Sequence, residues 1–461
     1  MKRITISKIV FVISLGLCNG LSAQNISIVE LQPGLDYAPG VVVSLQECVD
    51  SGLVRNYSVR IARGKEQIAD EKATRGNAGM WPSLDLSASY SGTNNDQNTF
   101  YRDGTDQHAD PSLNSTITTG LQLSWTVFNG FSIATEYKRL KEMKWQSSID
   151  MRIALEDYVA DVAQSYYSLI RQRIRLQNLL RSVSLSGERL RIVEESYKLG
   201  AMSGLEYQQA KVDYNADTAS YITQVEQVRK LEINLNSLLE LDDMDRHTIP
   251  ADSIIVPNSS LIREQLWNNA LLNNADLLRA GSQTQVSRLA LKAAQSRNYP
   301  YLKITGAYQF RDALYGNAEQ YTYSHINSYG PQFGASAGIN VFNGGARRVE
   351  QRTAKLSVLN AQLQEESVES SLSADMAQLW MAYQNNLHLW ELEKANLDVA
   401  RSNFDIALER YRLHELSGIE LREAQLSLLS SEERLSTAEY NVKICEISLL
   451  QLSGDLLSAE L

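Results

Sequence analysis

Two short stretches of this chain place a hydroxyl three residues ahead of a carboxylate: Ser203-Gly204-Leu205-Glu206 and Ser417-Gly418-Ile419-Glu420, with Glu423 three residues further on. At this spacing the two side chains form a capping box, each satisfying the other's backbone N–H at the start of a helix. Glu420 and Glu423, three apart, fall on one face of that helix. Acids in a first turn are also favoured by the helix dipole. The chemistry on offer is therefore fixed negative charge beside a turn. His414, just ahead of the second box, is a polar turn residue whose ordinary pKa lies near neutral pH. Catalytic chemistry is not indicated. The chain has no P-loop, no G-x-S-x-G, no H-E-x-x-H and no paired-cysteine motif. Five scattered histidines and three cysteines offer no metal-ligand spacing. An enzyme, a bound metal and a cofactor are not expected. A net charge of -10 and a pI of about 5.2 argue against a nucleic-acid partner.

The elements that hold these turns are long helices. Only 8 prolines occur in 461 residues, none between 112 and 249 and none after 331; proline breaks helix interiors, so both tracts can be helical throughout. Leu155, Val162, Leu169, Leu176, Val183, Leu190 and Tyr197 recur every seven residues. After the first turn Tyr207, Tyr214, Tyr221, Val228 and Leu235 continue at the same period. The later tract gives Met376, Tyr383, Trp390, Leu397, Phe404 and Tyr411, then Leu421, Leu428, Leu435, Val442 and Leu449. A sustained period of seven predicts supercoiled helices. Each tract thus reads as a long helix (131–199 and 346–413), a turn, and an antiparallel helix half as long (204–240 and 418–452). Further half-length helices are expected at about 44–79 and 262–297. Half-length helices stacked end to end would match one long helix. The aromatic heptad residues read as packing knobs rather than as a drug-binding stripe.

The chain is duplicated. Val127-Phe128-Asn129-Gly130 returns as Val341-Phe342-Asn343-Gly344, and both Ala160-Asp161-Val162-Ala163-Gln164 and the Ser-Gly-x-Glu turn return at the same offset. Asn56 and Asn274, and Pro82 and Pro300, match at an offset four residues larger. Repeats of this length are half-molecules, not solenoid units. The predicted organisation is a signal peptide at 1–23 and a first repeat at 24–240. A link follows at 241–260, carrying Asp242, Asp243, Asp245 and Pro250, and then a second repeat at 261–461. Each repeat holds a β-hairpin, at 82–128 and 301–342, and a helical hairpin, at 131–240 and 346–452.

Those β-hairpins show period two. Leu84, Leu86, Ala88 and Tyr90 alternate with polar residues, as do Leu121, Leu123, Trp125 and Val127. Leu302, Ile304, Tyr308 and Phe310, then Phe333, Ala335, Ala337, Ile339 and Val341, repeat the pattern. Each run is close to the ~10 residues that cross a bilayer as a tilted strand. The segments 92–118 and 311–331 are polar and are expected to be loops. Four strands cannot close a barrel, and unpaired edges are intolerable in lipid, so a barrel would be shared among chains. At the N-terminus Lys2, Arg3 and Lys8 precede the apolar Ile9 to Leu17, and Ser22-Ala23 offers a cleavage site before Gln24. Cys48 and Cys445 are expected to be free thiols.

In this order and duplication the motifs resemble the TolC family of outer-membrane efflux and secretion factors. Phe342-Asn343-Gly344-Gly345-Ala346-Arg347-Arg348 is similar to its strand-to-helix junction, Pro82 and Pro300 to its helix-to-strand prolines, and the two turns to its periplasmic tips. The resemblance implies a mainly α protein with a β-barrel part: a homotrimeric channel-tunnel, four strands per chain, in the outer membrane of a Gram-negative bacterium and extending into the periplasm. It implies a passive exit duct of a tripartite efflux or type I secretion system, partnered by a periplasmic adaptor, an inner-membrane pump and outer-membrane lipid. A diffusion porin and an exported coiled-coil scaffold are the competing readings. The first leaves the coiled coil unexplained and the second the amphipathic strands.

Carried over by position, the resemblance assigns a channel gate to Glu420 and Glu423, joined by Glu206 and Tyr411. It assigns adaptor contact to Gly200, Ala201, Met202, Ser203, Gly204, His414, Glu415, Leu416, Ser417 and Gly418. This chain departs from the family pattern at His414, where glycine is common, and at Leu416, where an arginine can lock the gate.

Overall fold

A computed structural model describes residues 40–316, 324–413 and 415–459. The expected signal peptide and His414 lie outside the described residues. Helix α3 runs Ser132–Lys198 and α7 runs Ala346–Arg412, 67 residues each, or ~100 Å at 1.5 Å per residue. Helices α4 (Gly204–Leu238) and α8 (Gly418–Ser453) return beside them. Val162, Leu169, Val228 and Leu235 are fully buried, as are Tyr383, Val442 and Leu449. The period of seven is thus the seam between neighbouring helices. Trp380 and Tyr383 pack ring to ring at 5.5 Å, as knobs.

The half-length helices are not continuous. The first is α1 (Leu45–Arg55) and α2 (Tyr57–Lys72), and the second α5 (Arg263–Asn273) and α6 (Ala275–Ser296). The expected spans 44–79 and 262–297 are each interrupted at an asparagine, Asn56 with ψ 127° and Asn274 with ψ 123°. These extended values break the helix, and each side chain caps the next one. Helix α2 also stops at Lys72, before a turn that contains Gly79 at φ 81°.

Contacts among these helices define a single layer. In the upper half α2, α3, α6 and α7 lie side by side; in the lower half the order is α4, α3, α8, α7. Twenty residues of α3 are buried but only four of α7, so α3 lies inside the layer and α7 forms its edge.

The strands form one antiparallel sheet in the order β2 (Ser83–Phe100), β3 (Asp106–Asn129), β5 (Tyr301–Leu314), β6 (His325–Gly338). Its register aligns Leu86, Leu121, Tyr308 and Pro331 in one cross-strand row, and Leu84, Leu123, Gly306 and Phe333 in another. Residues directly opposite share a face, so the four alternating patterns make one apolar surface. It is bare in the single chain: Leu86 is 77% exposed and Phe333 93%. No described helix is long and apolar enough to cross a membrane.

The expected loop at 92–118 is mostly strand. The β2–β3 ladder continues to Phe100 opposite Asp106, leaving only 101–105 as the turn. Strand β3 pairs with β5 only as far as Ser115, so the remainder is a two-stranded ribbon standing beyond the sheet. Main-chain pairing needs no apolar alternation, which is why a polar sequence concealed it. The second loop is shortened likewise, since β5 reaches Leu314 and β6 starts at His325; residues 317–323 lie outside the described set. At the other end β6 stops at Gly338, so the alternation through Ile339 and Val341 is not strand.

The link also holds an element the sequence did not announce. Strands β1 (Val41–Val43) and β4 (Thr248–Pro250) pair in parallel. Asn236 on α4 donates to the carbonyls of Met244 (3.0 Å) and Arg246 (2.7 Å), and Tyr166 on α3 donates to Asp252 (2.7 Å). Glu232, almost wholly buried, receives Arg229 at 2.9 Å and lies 3.0 Å from His247. Three-residue strands are too short to show a period.

Candidate functional site at the paired helical turns

Both turns are built by the same local code. Ser203 Oγ accepts from the Glu206 N–H at 3.2 Å, while Glu206 accepts from the Ser203 N–H at 3.0 Å. Ser417 and Glu420 repeat this at 3.3 and 3.0 Å. The Ser203 backbone and hydroxyl bonds hold the Glu206 carboxyl below its ordinary pKa. For Glu420 the Ser417 hydroxyl bond leads, followed by the backbone bond. Gly200, Ala201, Ser203, Gly204, Glu415 and Ser417 are exposed.

The predicted site residues fall into two clefts. Met202, Glu206, Tyr411, Leu416, Ser417 and Gly418 line a cavity of about 530 Å³ between the two hairpins. Glu420 and Glu423 line a separate cleft of about 290 Å³ between α7 and α8, with Arg410 and Leu416. Glu423 is exposed. Tyr411 packs against Ala407, Leu421 and Ala424. Burial raises its pKa; Arg189 opposes this and the Glu206 charge adds to it. No hydrogen bond joins Glu206 to Tyr411 among the described residues: the carboxylate is turned back onto Ser203. The equivalent Tyr197 instead stacks on Tyr207 at 5.4 Å.

A polar network between the hairpins was not foreseen. Arg189 on α3 pairs with Asp213 on α4 and donates to the Gly418 carbonyl at the start of α8 (3.2 Å). Arg422 on α8 grips both oxygens of Asp217 on α4, at 2.8 and 2.7 Å. Ser182 donates to Asp217 (3.1 Å) and receives Gln425 (2.7 Å). These groups are largely buried, where breaking one partner of an ion pair is costly. One signal was available in sequence. Neither Arg189 nor Arg422 has an acid three or four residues away on its own helix, so each had to find its partner elsewhere.

A helical layer ~100 Å long, carried on a four-stranded sheet with one apolar face and ending in two capped turns, defines the architecture of an outer-membrane channel protein. The family model for outer membrane efflux proteins matches residues 49–240 and 266–455, and the chain belongs to that family. It is similar to the outer membrane protein TolC of Escherichia coli, at 20% identity over 433 residues, covering 90% of this chain and 82% of TolC. Among solved structures it resembles the CmeC outer membrane channel of Campylobacter jejuni, with a TM-score of 0.72, 18% identity and coverage of 89% and 86%. The open-state MtrE outer membrane channel of Neisseria gonorrhoeae matches with a TM-score of 0.69, 16% identity and 89% coverage of both chains. The chain is thus an outer-membrane protein of the efflux-channel class, with a TolC-like fold.

Proposed function

We propose that three copies close around an axis into a channel-tunnel, a passive exit duct that crosses the outer membrane as a shared 12-stranded barrel and extends into the periplasm. The observation that carries this reading is that both layers have open edges. Strands β2 and β6 each lack an outer neighbour among the described residues. On the edge helix α7 a second apolar stripe stays exposed: Val349, Leu356 and Leu363, then Leu392, Val399 and Ile406, each set spaced by sevens. On the opposite edge Ile61 and Ile68 of α2 and Val212 and Ile222 of α4 are exposed. A heptad stripe facing nothing calls for another helix, and an open strand edge in lipid calls for another strand. Edge-to-edge closure satisfies both, which a diffusion porin or a soluble scaffold does not require.

In this reading the turns lie at the periplasmic tip. There Glu420 and Glu423 from three copies form stacked acidic rings, with Glu206 and Tyr411 behind them. Gly200 to Gly204 and His414 to Gly418 meet the periplasmic adaptor of a pump in the inner membrane. Crowded carboxylates attract cations and repel anions, an effect that salt weakens. The test is planar-bilayer recording of Glu420→Gln/Glu423→Gln in assembled oligomers. Reduced cation selectivity and weaker block by divalent cations are expected. Unchanged selectivity and block would make these residues ordinary helix-start acids. Glu206→Gln, in the matching cap of the first repeat, shows how much of the effect comes from losing a capping box.

A further inference from the structure

The lower helix α4 is not continued by the chain into the upper helix α2 that stands in line with it, nor is α8 continued into α6. Each gap is bridged by one side-chain amide. Asn56 Oδ1 accepts from the N–H groups of Ser58 (2.9 Å) and Val59 (3.3 Å) at the start of α2, while its Nδ2 donates to the Leu238 carbonyl at the end of α4 (3.2 Å). Its own N–H closes α1 by donating to Gly52 (2.7 Å). Asn274 repeats all three roles. It accepts from Leu277 N–H (2.9 Å), donates through Nδ2 to the Leu452 carbonyl in the last turn of α8 (3.0 Å), and donates its N–H to Ala270 (2.9 Å). Both residues are buried, at 8% and 7% exposure. Each thus serves three helix ends, two of which need an acceptor and a donor from one short side chain. Aspartate supplies the acceptor alone, and serine is too short to span both ends.

Toward their other ends α4, at Asp213 and Asp217, and α8, at Arg422, are tied by the network that includes Arg189. Helix α4 is therefore held at two points ~30–40 Å apart, the rise over the stretch from Asp213 and Asp217 to Leu238. We propose that Asn56 and Asn274 are paired joints that fix the axial position of α4 and α8, and through them hold the distant turns in the arrangement described above. This rests on the channel reading for its functional meaning, but the coupling itself is a property of the fold.

The test is hydrogen–deuterium exchange on the assembled protein carrying Asn56→Asp and Asn274→Asp. Aspartate keeps the N-cap oxygen, so α2 and α6 stay capped, but it cannot donate to Leu238 or Leu452. The amides of the last turns of α4 and α8 should exchange about fivefold faster, the loss of one net hydrogen bond. The Glu206 and Glu420 amides at the remote turns should quicken as well, while circular dichroism and the number of chains per particle stay unchanged. Faster exchange confined to the joints would show that the asparagines only hold helix ends, and would overturn the coupling. Unchanged exchange at both places would overturn the joint itself. Should the aspartates prevent assembly, Asn56→Ser and Asn274→Ser make the same distinction without added charge. Bilayer recording separates the two claims. Wild-type protein that never conducts contradicts the channel reading, whereas a wild type that conducts and variants whose opening is unchanged contradict the coupling.

Discussion

Glu240 occupies φ 50°, a conformation that costs a side chain, where the second repeat has Gly454 at φ 76°. Both residues end a helix in the same way: Leu241 N–H bonds Asn236 O, and Asp455 N–H bonds Leu450 O. Glu240→Gly should therefore stabilise the protein, by up to about 1 kcal/mol. Gly454→Ala should do the reverse, because its methyl group would also press on the Asn273 carbonyl. Melting temperatures of the two variants check this, and a lower value for Glu240→Gly would contradict it. The capping carboxylates carry a pH signature. Glu206 and Glu420 are held below the ordinary value of 4.5 in the fold. Their contribution is present above that value and is lost as pH falls through the folded pKa. Protection of the amides at the two turns, taken relative to the intrinsic exchange rate at each pH, should fall only in that acid range; a loss of protection between pH 6 and 7 would contradict it. Cys48 is 1% exposed and burial pushes its thiol up to about 12, so a maleimide should label it only on unfolding. At this scale the capping boxes were legible because their partners are three residues apart. The Arg422–Asp217 pair was not, because its partners are 205 residues apart.

Among the elements, the helical hairpins were legible because a period of seven survives over many turns. The breaks at Asn56 and Asn274 were not, since asparagine is tolerated in helices and the break follows from bonds to Leu238 and Leu452, far away in sequence. The apolar-faced part of each strand was legible from its alternation, and the polar ribbon beyond it was not. Two predictions belong here. Asp217→Leu leaves Arg422 buried without its partner and should cost about 3–5 kcal/mol, whereas Asp217→Leu/Arg422→Leu should recover much of it. Melting of the single and double variants measures this, and simple additivity would contradict the pairing. Replacing residues 96–110 with an Asn-Gly turn removes ladder that β5 does not share. Assembly should persist, as read by heat-resistant migration on gels; its loss would give the ribbon a structural role.

At the scale of the molecule, a single chain leaves apolar surface and strand edges uncovered. Its sheet shows an apolar face and two open edges, and its helical layer ends in an apolar stripe on α7 at one side and apolar residues of α2 and α4 at the other. Exposed surface of this kind marks an interface, and the edges of one copy are chemically suited to the opposite edges of the next. Repetition of such an edge-to-edge contact either closes a ring or grows without limit. The duplication within the chain already supplies two of the repeating units, so few copies are needed for closure. The measurement that bears most directly on this account is the mass of the detergent-solubilised protein by light scattering, corrected for bound detergent. Three copies of the chain in a monodisperse particle that retains its β signal are predicted. A monodisperse monomer with the sheet intact would contradict the shared barrel, and with it the duct.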